Sequence, residues 1–220
     1  MNYNWNFNVL TRNYLELLGG LGMGLGLAAI SLLLAIVIGL LFAKAAVSKQ
    51  KILKAVAKLY VTAFRNTPLL ILIYIAYFGL SETGITFGKN QAFIIALSFY
   101  GGAYMTEVFR AGLESIPYGI IEAGKAIGLR SRQITIRIQL PIMFKKVLPS
   151  MGNYLISLFK DTSLAASIGV TELTFVTRQL NADTFRIFEV WTGAAALYIV
   201  TCFLMLRILQ FIEKKLLKNG

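Results

Sequence analysis

Carboxylate side chains border two of the apolar stretches in this sequence. Glu107 ends one uncharged stretch, with Arg110 three residues further on, and Asp161 follows Lys160 at the end of another. Ionisable groups are expensive inside a bilayer, so those found there serve a pathway or pair with one another. Two interpretations stay open for each carboxylate. Glu107 attracts an ammonium group or a cationic side chain of a solute, or it pairs locally with Arg110. Asp161 binds polar backbone groups of a solute or holds an outer gate, or it lies at a solvated helix end in contact with Lys160.

Other polar positions could contribute to such a path. Thr162 and Ser163 could bind the polar backbone groups of a solute or hold an outer gate. Thr67 precedes Pro68, which removes one helical hydrogen bond and leaves a carbonyl in need of a partner. A kink that serves packing alone is the alternative there. Glu82 is expected just outside the membrane, where a carboxylate could add to specificity.

The composition argues against most enzyme chemistry. Histidine is absent, which removes the commonest general base and the commonest metal ligand. The single cysteine, Cys202, permits neither an intrachain disulfide nor a thiolate metal cluster. A membrane-embedded protease or lipid transferase needs histidine, paired aspartates or a Ser/Lys dyad, and no two carboxylates show tight motif spacing. We therefore expect no catalytic residue, no metal site and no bound cofactor.

The elements that position these residues are predicted to be membrane-spanning helices. Hydrophobic residues make up 57% of the 220 residues, and the mean hydropathy is +0.68, whereas soluble domains average about 45–50% apolar residues. About 20 apolar residues cross a bilayer as a helix. The five predicted spans are 19–43, 59–80, 90–110, 143–164 and 189–209. We expect an all-α polytopic membrane protein that forms one domain over 1–220. A glycine-rich stretch begins its first span, and we expect neighbouring helices to pack closely there.

Lysine and arginine predict the orientation of these spans. The segments 44–58, 110–146 and 207–220 hold 16 of the 22 basic residues. Cytoplasmic segments carry the excess of positive charge, so these three segments are expected inside. The N-terminus is then outside and the C-terminus cytoplasmic, which agrees with an odd number of spans. The net charge of +12 is thus a topology signal and not a nucleic-acid surface.

The inner segment at about 111–141 contains a short charged helix. Pro117 suits a first helical turn, because its missing amide proton has no partner there anyway. Gly128 suits the position just past a helix end, where a positive φ is needed. Glu122 and Lys125 can reach water or a partner, and small side chains between them leave room for close docking. A polar helix between two spans has little of its own chain to pack against, so it is expected to bind a cytoplasmic protein.

The segment 122–141 resembles the cytoplasmic EAA loop of permease subunits of ABC importers. That motif is Glu-Ala-Ala, three residues, Gly, nine residues, Ile, one residue, Leu-Pro. The residues that match it at the same spacing are Glu122, Ala123, Gly128, Ile138, Leu140 and Pro141. Gly124 replaces the second alanine, which costs about 1 kcal/mol of helix stability but leaves docking space. Pro141 is expected to stop any continuous helix before the chain re-enters the membrane.

Flanking segments resemble the polar amino acid branch of the same family. They are 64–70, 104–110 with 115–117, and 160–164, and the resemblance runs from about residue 10 onwards. It implies a multi-pass permease of the bacterial cytoplasmic (inner) membrane that is not itself an enzyme. Two permease subunits, identical or not, would pair to enclose the path, and an extracytoplasmic solute-binding protein would deliver the cargo.

The resemblance also implies how the loop acts. Two ATP-binding cassette subunits would bind ATP and magnesium, and their closure would pull the loop helices together and rock the spans. The docking residues carried over to this sequence are Pro117, Glu122, Ala123, Gly124, Ala126 and Gly128. Path carboxylates without matching arginines favour arginine, lysine, histidine or glutamine as cargo over glutamate or aspartate. A membrane sensor or scaffold that uses the same loop for signalling is the alternative function.

Overall fold

The computed structural model describes residues 4–218, with side chains through residue 215, and these residues form helices and turns without strands. This confirms the predicted all-α class. The helices are α1 Asn8–Arg12, α2 Tyr14–Ala46, α3 Lys51–Asn66, α4 Leu69–Tyr74, α5 Leu80–Glu82, α6 Lys89–Glu114, α7 Tyr118–Ala126, α8 Ser131–Ile134, α9 Leu140–Asp161, α10 Leu173–Thr184 and α11 Ile187–Lys218. Two π-helical segments, Ile75–Gly79 and Thr135–Gln139, and one 3₁₀ helix, Thr162–Ile168, complete the order.

Three helices in the described part of the chain are long and apolar enough to cross a membrane. They are Tyr14–Ala46, Lys89–Glu114 and Ile187–Lys215, and they contain the predicted spans 19–43, 90–110 and 189–209. A fourth span results if the broken pair Lys51–Asn66 and Leu69–Glu82 crosses as one. Helix α9 contains most of the predicted span 143–164, but it is not among the helices that are both long and apolar enough to cross a membrane. The fifth span therefore stays a prediction.

The predicted span 59–80 is interrupted at Thr67 and Pro68. Both residues have extended backbones, with ψ of 129° at Thr67 and 133° at Pro68. The proline ring disfavours a helical conformation at the residue before it, and the ring nitrogen has no proton to donate. The Thr67 hydroxyl donates to the Ala63 carbonyl at 2.8 Å and so satisfies one acceptor in the last turn of α3. The chain therefore forms two separate helices here and not one kinked helix.

The expectation that Pro141 stops the helix was wrong. Helical residues continue without a gap from Ser131 through Asp161, and the π-helical segment Thr135–Gln139 lies just ahead of the proline. In that segment the Leu140 amide donates to the Thr135 carbonyl five residues back. A wider π turn accommodates a proline that would clash with the carbonyl four residues earlier in a regular α-helix.

The described chain divides into two compact units. One comprises the residues up to Leu32 with Pro68–Leu97 and Leu155–Arg207, and the other comprises Leu33–Thr67, Ser98–Tyr154 and the residues from Ile208 onwards. The core of the first is formed by Val9, Leu17, Leu173, Leu180, Val190 and Ala194. The core of the second is formed by Ala35, Ala43, Met105, Phe109, Ile116, Met143 and Val147. The single permease domain over 1–220 stays a prediction.

The glycine-rich stretch of α2 packs through only part of its length. A Cβ at Gly20 would lie 3.0 Å from the Leu173 backbone, and one at Gly24 would lie 3.1 Å from the Thr162 hydroxyl oxygen. Gly19, Gly22 and Gly26 have no such neighbour within 4 Å. Positions four apart share one helix face, so the predicted close packing is confirmed for that face alone.

A buried glutamate that sequence analysis missed caps α10. Glu172 is fully buried, and its two carboxylate oxygens accept the Thr174 amide at 2.9 Å and the Phe175 amide at 2.8 Å. The Tyr198 hydroxyl donates to the same carboxylate at 3.1 Å. Burial raises the pKa of the Glu172 carboxyl, and the hydrogen bonds from Thr174, Phe175 and Tyr198 offset part of that shift. Glu172 thus satisfies helix N–H groups that would otherwise be buried without a partner.

We expect Glu172→Ala to lower the stability of the folded chain by about 2 kcal/mol, because it removes the cap and leaves buried donors unpaired. Glu172→Gln keeps an acceptor and should lose much less. A raised pKa favours the protonated carboxyl in the folded state, so this group's contribution to stability is present at low pH and falls as pH rises through that pKa. Thermal unfolding in detergent across pH measures both effects. Equal unfolding temperatures for Glu172→Ala and the parent would contradict the capping role.

Candidate coupling loop and solute path

The loop helix α7 has well-defined ends. Pro117 lies one residue before the helix, at the N-cap position, with ψ of 134°, and not in the first turn as predicted. Its missing amide proton is equally harmless there. At the other end Gly128 has a φ of 81°, which confirms the predicted positive φ. The Gly128 amide donates to the Lys125 carbonyl at 2.9 Å, and the Leu129 amide donates to the Gly124 carbonyl at 3.1 Å. This pair of bonds is the Schellman arrangement that ends a helix firmly.

Gly124 faces this chain and not an open surface. It is buried, and a Cβ there would lie 3.0 Å from the Ile138 Cδ1 atom and 3.3 Å from the Ile134 Cγ1 atom. The space that was expected to admit a partner is therefore filled by two isoleucines of the following helical segment. Gly124 contributes to the loop by letting α7 pack closely on that segment, which fixes the direction of the helix.

The opposite side of α7 is exposed. Glu122, Ala123 and Ala126 are exposed, and the Ile127 side chain just past the helix is 77% exposed. The Glu122 carboxylate has no hydrogen bond or ion pair in the described part of the chain. An apolar side chain beside a free carboxylate and two alanines is a surface to which another protein could bind closely. These four residues are called the α7 docking face below.

Glu107 forms the local pair that was one of its two predicted arrangements. Its two oxygens accept from the Arg110 guanidinium at 2.7 and 3.2 Å. The same guanidinium donates to the Glu114 carboxylate at 2.7 Å. Arg110 therefore bridges two carboxylates on successive turns of α6. A cationic solute would have to compete with Arg110 for Glu107, so this carboxylate is not a free site in the structure.

An aromatic cluster lies one turn away from this pair. The Arg65 guanidinium sits over the Tyr104 ring, 4.9 Å from its centroid. The Tyr104 hydroxyl lies 3.2 Å from the Tyr100 hydroxyl, and its ring stacks on Tyr154 with centroids 5.4 Å apart. The contacts of Tyr104 with Arg65 and Tyr154 were not predicted from the sequence. The spacing of Tyr100, Tyr104 and Glu107 places all three on one side of a helix and was the available signal.

The predicted residues around Asp161 separate into two kinds. Asp161 is half-buried at the end of α9. No hydrogen bond or salt bridge within residues 4–215 engages its carboxylate, so Lys160 acts on it only as a nearby charge and the direct Lys160–Asp161 pair does not form. Ser163 is half-buried as well. Thr162, in contrast, is fully buried and donates its hydroxyl to the Phe159 carbonyl at 2.7 Å. Thr162 therefore packs inside its unit in this conformation and does not face a solute.

The remaining predicted position, Glu82, is exposed at the end of α5. In the described residues no three His, Cys, Asp or Glu side chains come together as a possible metal-binding group. The predictions that the chain holds no metal and no cofactor stay predictions.

Comparison with known families and proteins gives consistent matches over most of the chain. The family described as binding-protein-dependent transport system inner membrane component matches residues 35–218. The octopine transport system permease protein OccM of Rhizobium radiobacter is 35% identical over 216 residues, which cover 93% of this chain and 87% of that protein. The L-cystine transport system permease protein TcyB of Bacillus subtilis is 34% identical over 199 residues, covering 90% of this chain and 85% of that protein.

Solved structures match the fold. A crystal structure of an amino acid ABC transporter with histidines superposes with a TM-score of 0.88 at 28% identity and covers 97% of this chain and 100% of that chain. An inward-facing structure of the MetNI methionine ABC transporter gives a TM-score of 0.78 at 22% identity, covering 92% of this chain and 97% of that chain. The second likeness is one of fold alone.

Proposed function

Because this chain belongs to the family of binding-protein-dependent transport system inner membrane components, we propose that it forms one half of the path of an importer for polar amino acids. Membership confirms the resemblance to ABC-importer permeases and makes the chain a transport subunit, since separate subunits hydrolyse ATP. It is a multi-pass bacterial membrane protein that works with ATP-binding and solute-binding subunits.

The observation that carries the coupling proposal is the geometry of α7. A helix fixed at its C-terminal end by the Gly128 turn and packed through Gly124 on the next segment can transmit a rigid-body movement. Its docking face then meets one of two ATP-binding cassette subunits. Those subunits hold ATP and magnesium, so this chain needs no cofactor of its own.

The path itself is proposed to lie between two permease subunits, identical or closely related. The N-terminus faces the outside and the C-terminus faces the cytoplasm. This orientation is supported by the basic residues, 16 of 22 of which lie in 44–58, 110–146 and 207–220. An extracytoplasmic solute-binding protein delivers the cargo to the outer side. Closure of the ATPase dimer brings the two α7 helices together and moves the path from inward-open to outward-open.

The proposed cargo is a cationic or neutral polar amino acid: arginine, lysine, histidine or glutamine. Relatives named for octopine, L-cystine and glutamine transport support a polar amino acid as cargo. Asp161 is the best-placed carboxylate, because it is half-buried and unpaired among the described residues. Ser163, Thr67 and Glu82 are proposed as further path positions. Glu107 is proposed to reach the cargo only if Arg110 releases it.

Uptake by the reconstituted complex tests this proposal. The chain is incorporated into lipid vesicles with its ATP-binding and solute-binding partners, and uptake of labelled arginine, glutamine and glutamate is measured with and without ATP. We expect ATP-dependent uptake of arginine or glutamine in preference to glutamate. Asp161→Asn should reduce that uptake at least about tenfold, which corresponds to about 1.4 kcal/mol of lost interaction.

Asp183→Asn is the matched control. Asp183 is exposed on α10, so the substitution makes the same chemical change at a surface position. It should transport like the parent. Preferred uptake of glutamate, or full activity of Asp161→Asn, would contradict the cargo assignment. Absence of any ATP-dependent uptake in the complete complex would instead favour a sensor or scaffold.

A further inference from the structure

Helix α3 has a basic stripe that the transport proposal does not use. Lys51, Lys54, Lys58 and Arg65 are spaced by three, seven and fourteen residues from the first of them. At 100° per residue these positions fall within one narrow sector of the helix. The stripe therefore places four basic residues on one side of α3, with two uncharged turns between Lys58 and Arg65.

A second side of the same helix is apolar and exposed. Ile52, Val56 and Leu59 are 78%, 50% and 71% exposed. A third side, with Ala57, Tyr60 and Val61, is buried in the unit. A helix of a membrane protein that exposes large aliphatic side chains along one line faces acyl chains there. This side of α3 is therefore apolar and open to acyl chains.

Three residues of the basic stripe, Lys54, Lys58 and Arg65, line a cleft of about 360 Å³ between α3 and α6. Its charged lining residues are Lys54, Lys58, Arg65, Glu107, Arg110 and Glu114. The two carboxylates are both bonded to Arg110, and Arg65 lies over Tyr104. Lys54 and Lys58 have no hydrogen bond or ion pair in the described part of the chain. Four cations and two carboxylates leave the cleft with a net charge of +2 and two lysines without partners.

We propose that this cleft binds the phosphate-bearing headgroup of an anionic phospholipid. The cleft combines unpaired ammonium groups with a neighbouring lipid-facing helix surface, and a phospholipid is the ligand that presents both a phosphate and acyl chains. The proposal places the lipid in the inner leaflet, and in this respect it rests on the orientation given under Proposed function. Basic pockets beside spanning helices on the cytoplasmic side are suited to such headgroups. Lys54 and Lys58, on the α3 side of the cleft, hold the phosphate. Arg110 stays bonded to Glu107 and Glu114 while the lipid is bound, so Glu107 takes no part in this site.

Lipid binding to the assembled, detergent-purified complex, without cargo or ATP, tests this inference. Phosphatidylglycerol and phosphatidylcholine are titrated separately, and bound lipid is measured by native mass spectrometry. We expect phosphatidylglycerol to bind at least about tenfold more tightly. The double variant Lys54→Gln with Lys58→Gln should weaken that binding about thirtyfold, because each basic residue near a charged lipid surface contributes roughly fivefold. The double variant Lys49→Gln with Lys145→Gln removes the same charge from exposed positions outside the cleft and should bind like the parent.

Three results would overturn the inference: unchanged binding by the Lys54 and Lys58 variant, an equal loss in the control variant, or no preference for phosphatidylglycerol. Glycerol phosphate serves as the soluble probe. Binding of glycerol phosphate as tightly as the lipid would show a site for soluble anions and would also overturn it. Because neither transport nor cargo is measured, failure here leaves the transport proposal untouched.

Discussion

Replacing Gly39 by leucine is expected to abolish recovery of folded protein from the membrane. Gly39 lies on α2, and a Cβ there would be 2.5 Å from the Met105 Cβ atom and 3.0 Å from the Met105 carbonyl carbon on α6. Met105 and Thr106 are both fully buried. The clashing atoms belong to the backbone and the first side-chain carbon, so a change of rotamer cannot relieve the contact. Overpacking of this kind typically costs about 1–3 kcal/mol, and more when whole helices must separate. Yield and unfolding temperature after size-exclusion chromatography measure the loss.

Gly26→Leu provides the control on the same helix. Gly26 has no neighbour within 4 Å, so a leucine there should leave yield and unfolding temperature nearly unchanged. Gly39→Ala should give an intermediate result, because it adds the first carbon without the branched end. If Gly39→Leu matched Gly26→Leu in stability, the close approach of α2 and α6 would be wrong.

The glycines show what a sequence reveals about helix packing and what it does not. Their clustering at the start of α2 indicated a packed face, and Gly20 and Gly24 confirm one. The closest approaches in the second unit, however, include isolated glycines such as Gly39 and Gly112. The sequence around an isolated glycine looks the same whether that glycine packs against another helix or faces lipid. The partner helix is distant in the chain, so only the three-dimensional structure identifies it.

Local features were predicted more reliably than distant contacts. The bounds of α7 followed from Pro117 and Gly128 to within one residue. The backbone conformation at a proline, or at a glycine with a positive φ, depends mainly on the residue itself. The Glu107–Arg110 pair was one of two arrangements that their spacing on one helix left open, and the structure contains it. Glu172 was missed because glutamate is not among the preferred N-cap residues and because its burial beside Tyr198, 26 residues away, is not visible in the sequence. The effect of Pro141 was misjudged because a π turn, which the sequence does not signal, absorbed it.

Reversing the charge of Glu122 is expected to release the ATP-binding subunit from the permease. Glu122 is exposed near the middle of α7 and is unpaired among the described residues. In the proposed complex it faces a groove of the partner, where a lysine would leave an unpaired and repelled charge in a desolvated contact. Such a change typically costs several kcal/mol, so affinity should fall at least about a hundredfold, or 2.7 kcal/mol. Co-purification of the ATP-binding subunit and ATP-driven uptake should both be lost.

The helix itself should survive this substitution, because glutamate and lysine have nearly equal helix propensities. An unchanged elution profile and unfolding temperature of the Glu122→Lys permease would therefore assign the loss to docking. Glu16→Lys reverses an exposed charge on α2, on the opposite side of the membrane in the proposed orientation, and should retain the partner. Retention of the ATP-binding subunit by Glu122→Lys, or its equal loss in Glu16→Lys, would show that α7 is not the docking element. A rigid helix to which no partner binds could not transmit the movement of the ATP-binding subunits to the spans. The Glu122→Lys experiment therefore tests the coupling mechanism more directly than any substitution within the spans.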